Sequence, residues 1–338
     1  MFFSALNIAI IGETESMKKE QRTIPVLHIV IALSIFFVSL FFIGTFSVLS
    51  QASSMGQVSV ENIGPSFLGD PVFTTTTGGA EAYVSGEISG LISGSTTTIY
   101  IEGIAEDLNG QSDIVSASMV FYRDDVGDSC VPDNNNCYRL ESCVIDNDEI
   151  NLLHKRYSCE IALSSWIDAT DSTAGIDSGR YWKLLVEIED TEGTSAQNAN
   201  RQLEIQALTG LYFDSAIDFG AMTAGSSTTS ETNTESVFVQ QGNVAQNIRV
   251  SIDPSGFVCP DSDVNIPPEN LRWSTADVGY GVSDTAVSTS AVDINLGVSK
   301  RLDESTAPQK SFFWNLFVPE GVEGRCTGAI NILATNAS

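Results

Sequence analysis

The chain has 338 residues and a formal net charge of −27 at pH 7, because 43 acidic residues outnumber 16 basic ones. Its length suggests about two domains once any leader is set aside, and a 42% share of hydrophobic residues excludes wholesale disorder. The acidity excludes nucleic acid as a partner, since a strongly negative surface repels phosphate backbones.

The chain opens with the pattern of an export leader. Lys18, Lys19 and Arg22 precede a nearly unbroken apolar run, Ile24–Leu49. Basic residues before an apolar stretch stay on the cytoplasmic side while the following chain is exported. A buried core helix is disfavoured, because a globular helix of this length has a polar face. We therefore expect the residues from Ser53 onward to lie outside the cytoplasm.

The fate of this leader, residues 1–52, stays open. Ser50-Gln51-Ala52 offers the small residues that a signal peptidase reads, so cleavage after Ala52 is one outcome. The apolar run is also long enough to span a bilayer core of roughly 30 Å, so retention as a membrane anchor is the other. Met17-Lys18-Lys19 is a natural translation start, which leaves Met1–Ser16 as a candidate upstream artefact.

All six cysteines follow the leader, and their even number fits an oxidising compartment. A zinc site is disfavoured, because the cysteines lack the close paired spacing of zinc ligands and His154 is the only histidine beyond the leader. The first four cysteines allow three pairings. Among these alternatives we predict Cys130–Cys137, Cys143–Cys159 and Cys259–Cys326.

Beyond the leader, short segments rich in Val, Ile, Tyr and Trp alternate in hydrophobicity with period two, which is typical of β-strands. Asn109-Gly110 and Glu192-Gly193 are turn dipeptides between such segments. In the first half the predicted strands are Thr98–Ile104, Ile114–Tyr122, Tyr157–Leu163, Trp182–Glu189 and Leu203–Leu208.

A second series of predicted strands follows Leu211. It comprises Ser215–Phe219, Val237–Gln240, Ile248–Ile252, Val292–Leu296, Phe312–Val318 and Ala329–Leu333. Phe312–Val318 is apolar on both faces, which predicts a central strand. Helix signals are nearly absent. The sequence therefore predicts an all-β protein with two tandem antiparallel β-sandwiches, residues 53–208 with two disulfides and residues 209–338 with one.

Each half contains its own loose turn-and-strand patterns. In the second half they are Ile217-Asp218-Phe219-Gly220, Gly225, Gln241-Gly242-Asn243-Val244, and Val318-Pro319-Glu320-Gly321 leading to Gly328. In the first half they are Val60-Glu61-Asn62-Ile63-Gly64-Pro65 and Asp107-Leu108-Asn109-Gly110-Gln111-Ser112-Asp113-Ile114. With these patterns the chain resembles exported Ig-like cell-surface proteins of archaea and of small-genome bacteria. The resemblance covers most of residues 57–333. It implies Ig-like domains and a surface role, without transferable catalytic residues.

No group of residues is typical of an active site. Nucleophilic catalysis needs a base beside a Ser or Cys, and the one exported histidine, His154, has no Gly-x-Ser-x-Gly elbow with it. Carboxylate pairs serve glycosidases, but a sequence does not supply their separation. We therefore expect that the protein is not an enzyme.

The acidic turns are candidates for calcium. Asp107, Asn109 and Asp113 frame one turn, and calcium favours several oxygens from such loops. Gly110 falls two positions early for an EF-hand, and solvated turn carboxylates are the alternative interpretation. Calcium is the only cofactor that the sequence suggests.

Two of the four tryptophans are candidates for binding a glycan. Trp166 and Trp273 lie near turns and are candidates for an exposed glycan-binding platform, whereas Trp182 and Trp314 lie in strand patterns and are expected in the core.

These features favour an extracellular, cell-surface structural or adhesive protein of the envelope, which acts by binding. Its expected partners are envelope proteins, glycans or further copies of itself, and the membrane where the leader is uncleaved. A secreted calcium- or glycan-binding module is the alternative, and an extracellular hydrolase is a more distant one.

Overall fold

The structure is a computed structural model, and it describes residues 58–146, 151–214 and 216–337. The leader, with its expected signal or anchor helix, lies outside these residues. Within the described ranges the secondary structure is all-β, with two short 3-10 turns, Gln111–Asp113 and Pro268–Asn270, and no α-helix. No helix of the described part is long and apolar enough to cross a membrane.

Residues Glu61–Ser338 form one compact unit. The unit contains two large hydrophobic clusters, which we call the first core, built from buried residues between Phe73 and Ile205, and the second core, built from buried residues between Phe238 and Val318. The predicted boundary between residues 208 and 209 falls in the stretch of chain between the two cores. That these are two domains stays a prediction.

Eleven strands surround the first core: β1 (Ser66–Phe67), β2 (Val72–Thr74), β3 (Glu87–Ile88), β4 (Thr96–Glu106), β5 (Ile114–Arg123), β6 (Cys137–Leu140), β7 (Val144–Ile145), β8 (His154–Ser164), β9 (Trp182–Asp190), β10 (Ser195–Asn198) and β11 (Gln202–Ile205). One sheet has the order β1-β4-β8-β7, with β2 also on β4. The other has the order β3-β11-β9-β5-β6, with β10 also on β9. The pairs are antiparallel except β3 with β11.

The first core forms because alternate residues of both sheets point into it. Trp182, on β9, is fully buried and donates its indole N–H to the backbone oxygen of Asp168 over 2.9 Å. Tyr157, on β8, packs over Gly103 of β4, where any Cβ would overlap the phenol. The predicted core position of Trp182 is therefore confirmed.

Eight strands surround the second core: β12 (Leu211–Tyr212), β13 (Thr234–Gln240), β14 (Gln246–Ile252), β15 (Leu271–Ser274), β16 (Thr285–Ala286), β17 (Val292–Val298), β18 (Gln309–Leu316) and β19 (Ile330–Asn336). A five-stranded sheet has the order β12-β13-β18-β15-β16, and a three-stranded sheet has the order β17-β14-β19. β18 is therefore central, as its two apolar faces predict. Trp314 on this strand is fully buried and donates to Ser236 Oγ over 2.9 Å.

One predicted strand is wrong. Residues 216–219 are not in a strand. Ile217 and Phe219 instead pack against the second core from a loop, and this burial accounts for their apolar pattern without any strand pairing.

Three disulfides join Cys130 to Cys137, Cys143 to Cys159, and Cys259 to Cys326, with Cα–Cα distances of 6.1, 4.5 and 4.1 Å. Cys143 and Cys159 belong to the first core, whereas Cys259 belongs to the second. All six cysteines are bonded, and each core contains one bridge.

Candidate functional site

The predicted calcium residues lie in a turn that the chain itself stabilises. Asp107 is fully buried at the end of β4, and its Oδ1 accepts a hydrogen bond from the Asn109 N–H over 2.8 Å. A second turn of the same kind follows β9, where Asp190 Oδ1 accepts from the N–H groups of Glu192 and Thr194. Both aspartates act as turn caps, which is the ordinary structural use of this residue.

A segment near the start of the compact unit joins these two turns. Asn109 Oδ1 accepts from the Ile63 N–H over 2.7 Å, and Asn62 Nδ2 donates to Asp190 Oδ2 over 2.8 Å. Burial acts to raise the pKa of Asp190, but the hydrogen bonds from Asn62 and Thr194 bring that pKa below its usual value. The side-chain amide of Asn109 therefore already has hydrogen-bond partners within the chain.

Negative charge is concentrated beside Asp113. Burial raises the pKa of Asp113, and the nearby carboxylates of Glu192, Asp107 and Asp190 raise it further. Among the described residues, however, no group of three or more Asp, Glu, His or Cys side chains is arranged to hold a metal ion. Calcium at Asp107, Asn109 and Asp113 stays a prediction.

His154, the one histidine considered for catalysis, lies on β8 opposite Glu106 of β4. Its Nε2 is 3.1 Å from Glu106 Oε1, and its Nδ1 is 2.8 Å from Asn151 Nδ2. Within the described ranges, each ring nitrogen thus has a hydrogen-bond partner, and neither partner is a Ser or a Cys. The arrangement resembles a cross-strand polar pair, and it supplies no nucleophile.

The two tryptophans considered for glycan binding are each partly buried. The guanidinium of Arg301 lies 3.7 Å above the ring centroid of Trp166. Trp273 stacks on Phe312, with ring centroids 5.1 Å apart. One face of each ring is therefore in contact with the chain itself, and their role in ligand binding stays a prediction.

An open crevice of about 440 Å³ lies on the face of β5, β6 and β9 that points away from the first core. Its apolar floor is formed by Val120 and Leu185, which belong to a small separate cluster with the Cys130–Cys137 bridge. The polar groups around it come from Ser118, Asp128, Ser129, Arg139, Glu187 and Gln197.

Arg139 is the cation of this crevice. Its Nη2 donates to the backbone oxygen of Asp128 over 2.7 Å, which joins the segment just before Cys130 to β6. Within the described part of the chain Arg139 makes no ion pair. The crevice therefore combines an apolar floor with hydrogen-bond donors and acceptors, and six of its nine lining residues are polar.

This crevice is not among the sites that the sequence predicts. One signal was present, because Met119-Val120-Phe121-Tyr122 is apolar on both faces of β5. A strand with this pattern is covered on both faces. The outer face of β5 packs against the Cys130–Cys137 disulfide.

No protein-family model and no curated protein matches the chain. One similar solved structure is described as "Chaperone-tip adhesin complex is vital for synergistic activation of CFA/I fimbriae biogenesis". The match has 12% identity and a TM-score of 0.26, and it covers 75% of this chain and 79% of that chain. A likeness at this level carries no argument about function.

Proposed function

We propose that the protein is exported and acts at the cell surface as a structural or adhesive protein of the envelope, by binding rather than catalysis. The observation that carries the proposal is the pairing of all six cysteines in three disulfides. Such bonds form and persist in oxidising compartments and are rare in the cytosol. They agree with the basic and apolar pattern of the leader.

The fold supports a binding role. Each core lies between strands of two sheets, so the proposal includes two tandem Ig-like sandwiches that follow the leader. A sandwich offers strand edges, sheet faces and loops for contact with envelope proteins, glycans or further copies of the chain. The surroundings of His154 support the non-enzyme part, since its ring contacts an amide and a carboxylate.

Cell-surface fractionation combined with intact mass measurement tests this proposal. We expect the protein on the outside of the cell, accessible to added protease, with a mass lower than that of the reduced chain by six hydrogen atoms, two for each disulfide. The same mass reports whether the leader has been removed after Ala52. Recovery from the cytosol with all thiols open to alkylation would contradict the proposal.

The crevice at Arg139 favours a second candidate, a secreted glycan-binding module. An apolar floor with surrounding hydroxyl, amide and charged groups suits a sugar ring, which presents both C–H and O–H groups. Binding of the purified protein to an array of glycans would reveal such a ligand. Arg139→Ala would weaken binding, whereas Arg180→Ala, which changes an arginine outside the crevice, would not.

A further inference from the structure

The last strand of the second core has an unprotected edge. β19 pairs with β14 on one side, and within the described residues no hydrogen bond joins its other side to any part of the chain. It is seven residues long, Ile-Asn-Ile-Leu-Ala-Thr-Asn, with neither a charge nor a proline. A long, uncharged edge is a template for pairing with another strand, and proteins usually protect such edges.

The other edge strands of the described chain are short or contain a charge. The strand at the far edge of the same sheet, β17, contains Asp293. The remaining edge strands are two to four residues long, namely β1, β2, β3, β6, β7, β10, β12 and β16. The longer strands β8 and β13 are only partly covered by their neighbours β7 and β12, but their uncovered parts contain Glu160 and Glu235. Among the described strands that have no partner along one whole side, β19 is therefore the long one without a charge.

The apolar residues of β19 are incompletely covered. Ile330 and Ile332 point toward the second core but remain partly exposed, whereas Ile248, Val250 and Ile252 on the neighbouring strand are buried. On the opposite face Leu333 is 60% exposed. A strand added beside β19 would continue both surfaces and bury these side chains.

The charge of the sheet decides which partner fits. In a chain with a net charge of −27, most of the surface repels a second copy. β14, β17 and β19 together contain one arginine and one aspartate, Arg249 and Asp293. These two form an ion pair with nitrogen–oxygen distances of 2.8 and 2.9 Å. The sheet is thus neutral, so it adds no charge repulsion of its own when two copies approach here.

We propose that β19 pairs with β19 of a second copy in antiparallel orientation, which joins two three-stranded sheets into one continuous sheet. The pairing is centred on Leu333, so that Ile332 faces Ala334 of the second copy and Leu333 faces its own equivalent. This register keeps inward side chains opposite inward ones, as the two-residue period of a strand requires. Apolar cross-strand pairs stabilise such contacts.

The register also keeps like charges apart. Arg249 lies opposite Leu333 on the neighbouring strand. Neighbouring strands are about 4.8 Å apart, so the two copies of Arg249 would be separated by three strand spacings, or about 14 Å. Each is already neutralised by its own Asp293. The inference rests on the proposed function only in placing the dimer at the cell surface. The pairing itself can be measured on the purified protein.

Analytical ultracentrifugation of the full chain, purified in the form in which cells produce it, tests the proposal over a dilution series. We expect a reversible monomer–dimer equilibrium. Leu333→Lys places a charge at the centre of the pairing and raises the dimer dissociation constant by roughly tenfold or more. The matched control is Val292→Lys, because Val292 is 46% exposed on the opposite edge strand. It leaves the equilibrium unchanged.

Cross-linking fixes the register independently. Residues opposite each other in an antiparallel pair have Cα atoms about 4.5–5.5 Å apart, which suits a disulfide. Leu333→Cys therefore gives a covalent dimer under oxidising conditions, and Val292→Cys does not. A wild-type protein that stays monomeric throughout, or a Leu333→Lys variant that dimerises as tightly as the wild type, overturns the inference. Both results leave the surface location untouched.

Discussion

Lys300 Nζ lies 2.7 Å from Oδ1 of Asp168, a carboxylate whose side chain is only 3% exposed. The other oxygen of Asp168 accepts a hydrogen bond from Arg123. Asp168 follows β8, whereas Lys300 follows β17, so this ion pair joins residues that are 132 positions apart in the chain. Arg301 packs on Trp166 beside it. A buried carboxylate is stable only with such partners.

We predict that Lys300→Ala lowers the free energy of unfolding by about 1–2 kcal/mol. The loss is limited because Arg123 still contacts Asp168 and because the Lys300 side chain is 32% exposed. Urea denaturation at low and high salt measures it, and salt should reduce the difference. Lys310→Ala is the control, since Lys310 is exposed on β18 and has no ion pair in the described chain. Equal losses from both variants would contradict the prediction.

Replacing Tyr by Phe should have opposite effects on the free energy of unfolding at two buried positions, Tyr138 on β6 and Tyr157 on β8. Tyr138 donates to the backbone oxygen of Asn134 over 2.8 Å and accepts from the Ser164 N–H over 3.0 Å. The hydroxyl of Tyr157 is buried without a hydrogen-bond partner among the described residues. A buried polar group without a partner costs free energy, whereas a paired one contributes.

Tyr157→Phe should therefore raise the free energy of unfolding by about 1 kcal/mol, whereas Tyr138→Phe should lower it by about 1–2 kcal/mol. Each variant is the control for the other, because both remove one hydroxyl from the first core. Thermal and urea unfolding of the two variants measure the difference. Destabilisation by Tyr157→Phe would mean that its hydroxyl has a partner after all.

Tyr138 also predicts a loss of stability in alkali. Burial raises the pKa of Tyr138 from 10.0 to about 12, although the hydrogen bond from Ser164 acts to lower it. The folded state then keeps its proton to a higher pH than the unfolded state. The contribution of this group is complete below pH 10 and is lost as the pH rises to about 12. Burial raises the pKa of Tyr157 as well, so the two act together.

Unfolding free energies measured between pH 9 and pH 12 check this expectation, and the slope should approach about −1.4 kcal/mol per pH unit for each tyrosine. Tyr138→Phe should make the slope shallower, whatever its effect at neutral pH. A slope that does not change in this variant would show that Tyr138 ionises as easily in the folded chain as in the unfolded one.

Much of the fold could be predicted from the sequence, because long strands with one or two apolar faces carry their own signal. Thr98–Ile104 lies within β4, and Trp182–Glu189 lies within β9. The short strands β6, β7 and β10 carried no such signal. Two to four residues contain too little alternation, and their pairing depends on longer neighbours.

The candidate site was harder to predict. Ser118, Arg139 and Glu187 line one crevice because β5 pairs with both β6 and β9. Local spacing does not say which strands are neighbours, so residues up to 69 positions apart could not be grouped in advance. Asp107 and Asn109, by contrast, were singled out from their spacing, but their hydrogen bonds to the chain could not be foreseen.

The bridge between Cys259 and Cys326 should contribute most to stability. It joins residues 67 positions apart, next to the backbone hydrogen bonds between Val258 and Thr327 that lead into β19. In the chain-entropy model, a loop of this length contributes about 4 kcal/mol, whereas the seven-residue separation of Cys130 and Cys137 contributes about 2 kcal/mol. Peptide mapping without reductant should first recover Cys259 linked to Cys326. The double variant Cys259→Ser/Cys326→Ser should then lose about twice the unfolding free energy of Cys130→Ser/Cys137→Ser, measured in urea. A Cys259 peptide linked to any other peptide, or a larger loss from the short bridge, would show that the long loop does not stabilise the second core in this way.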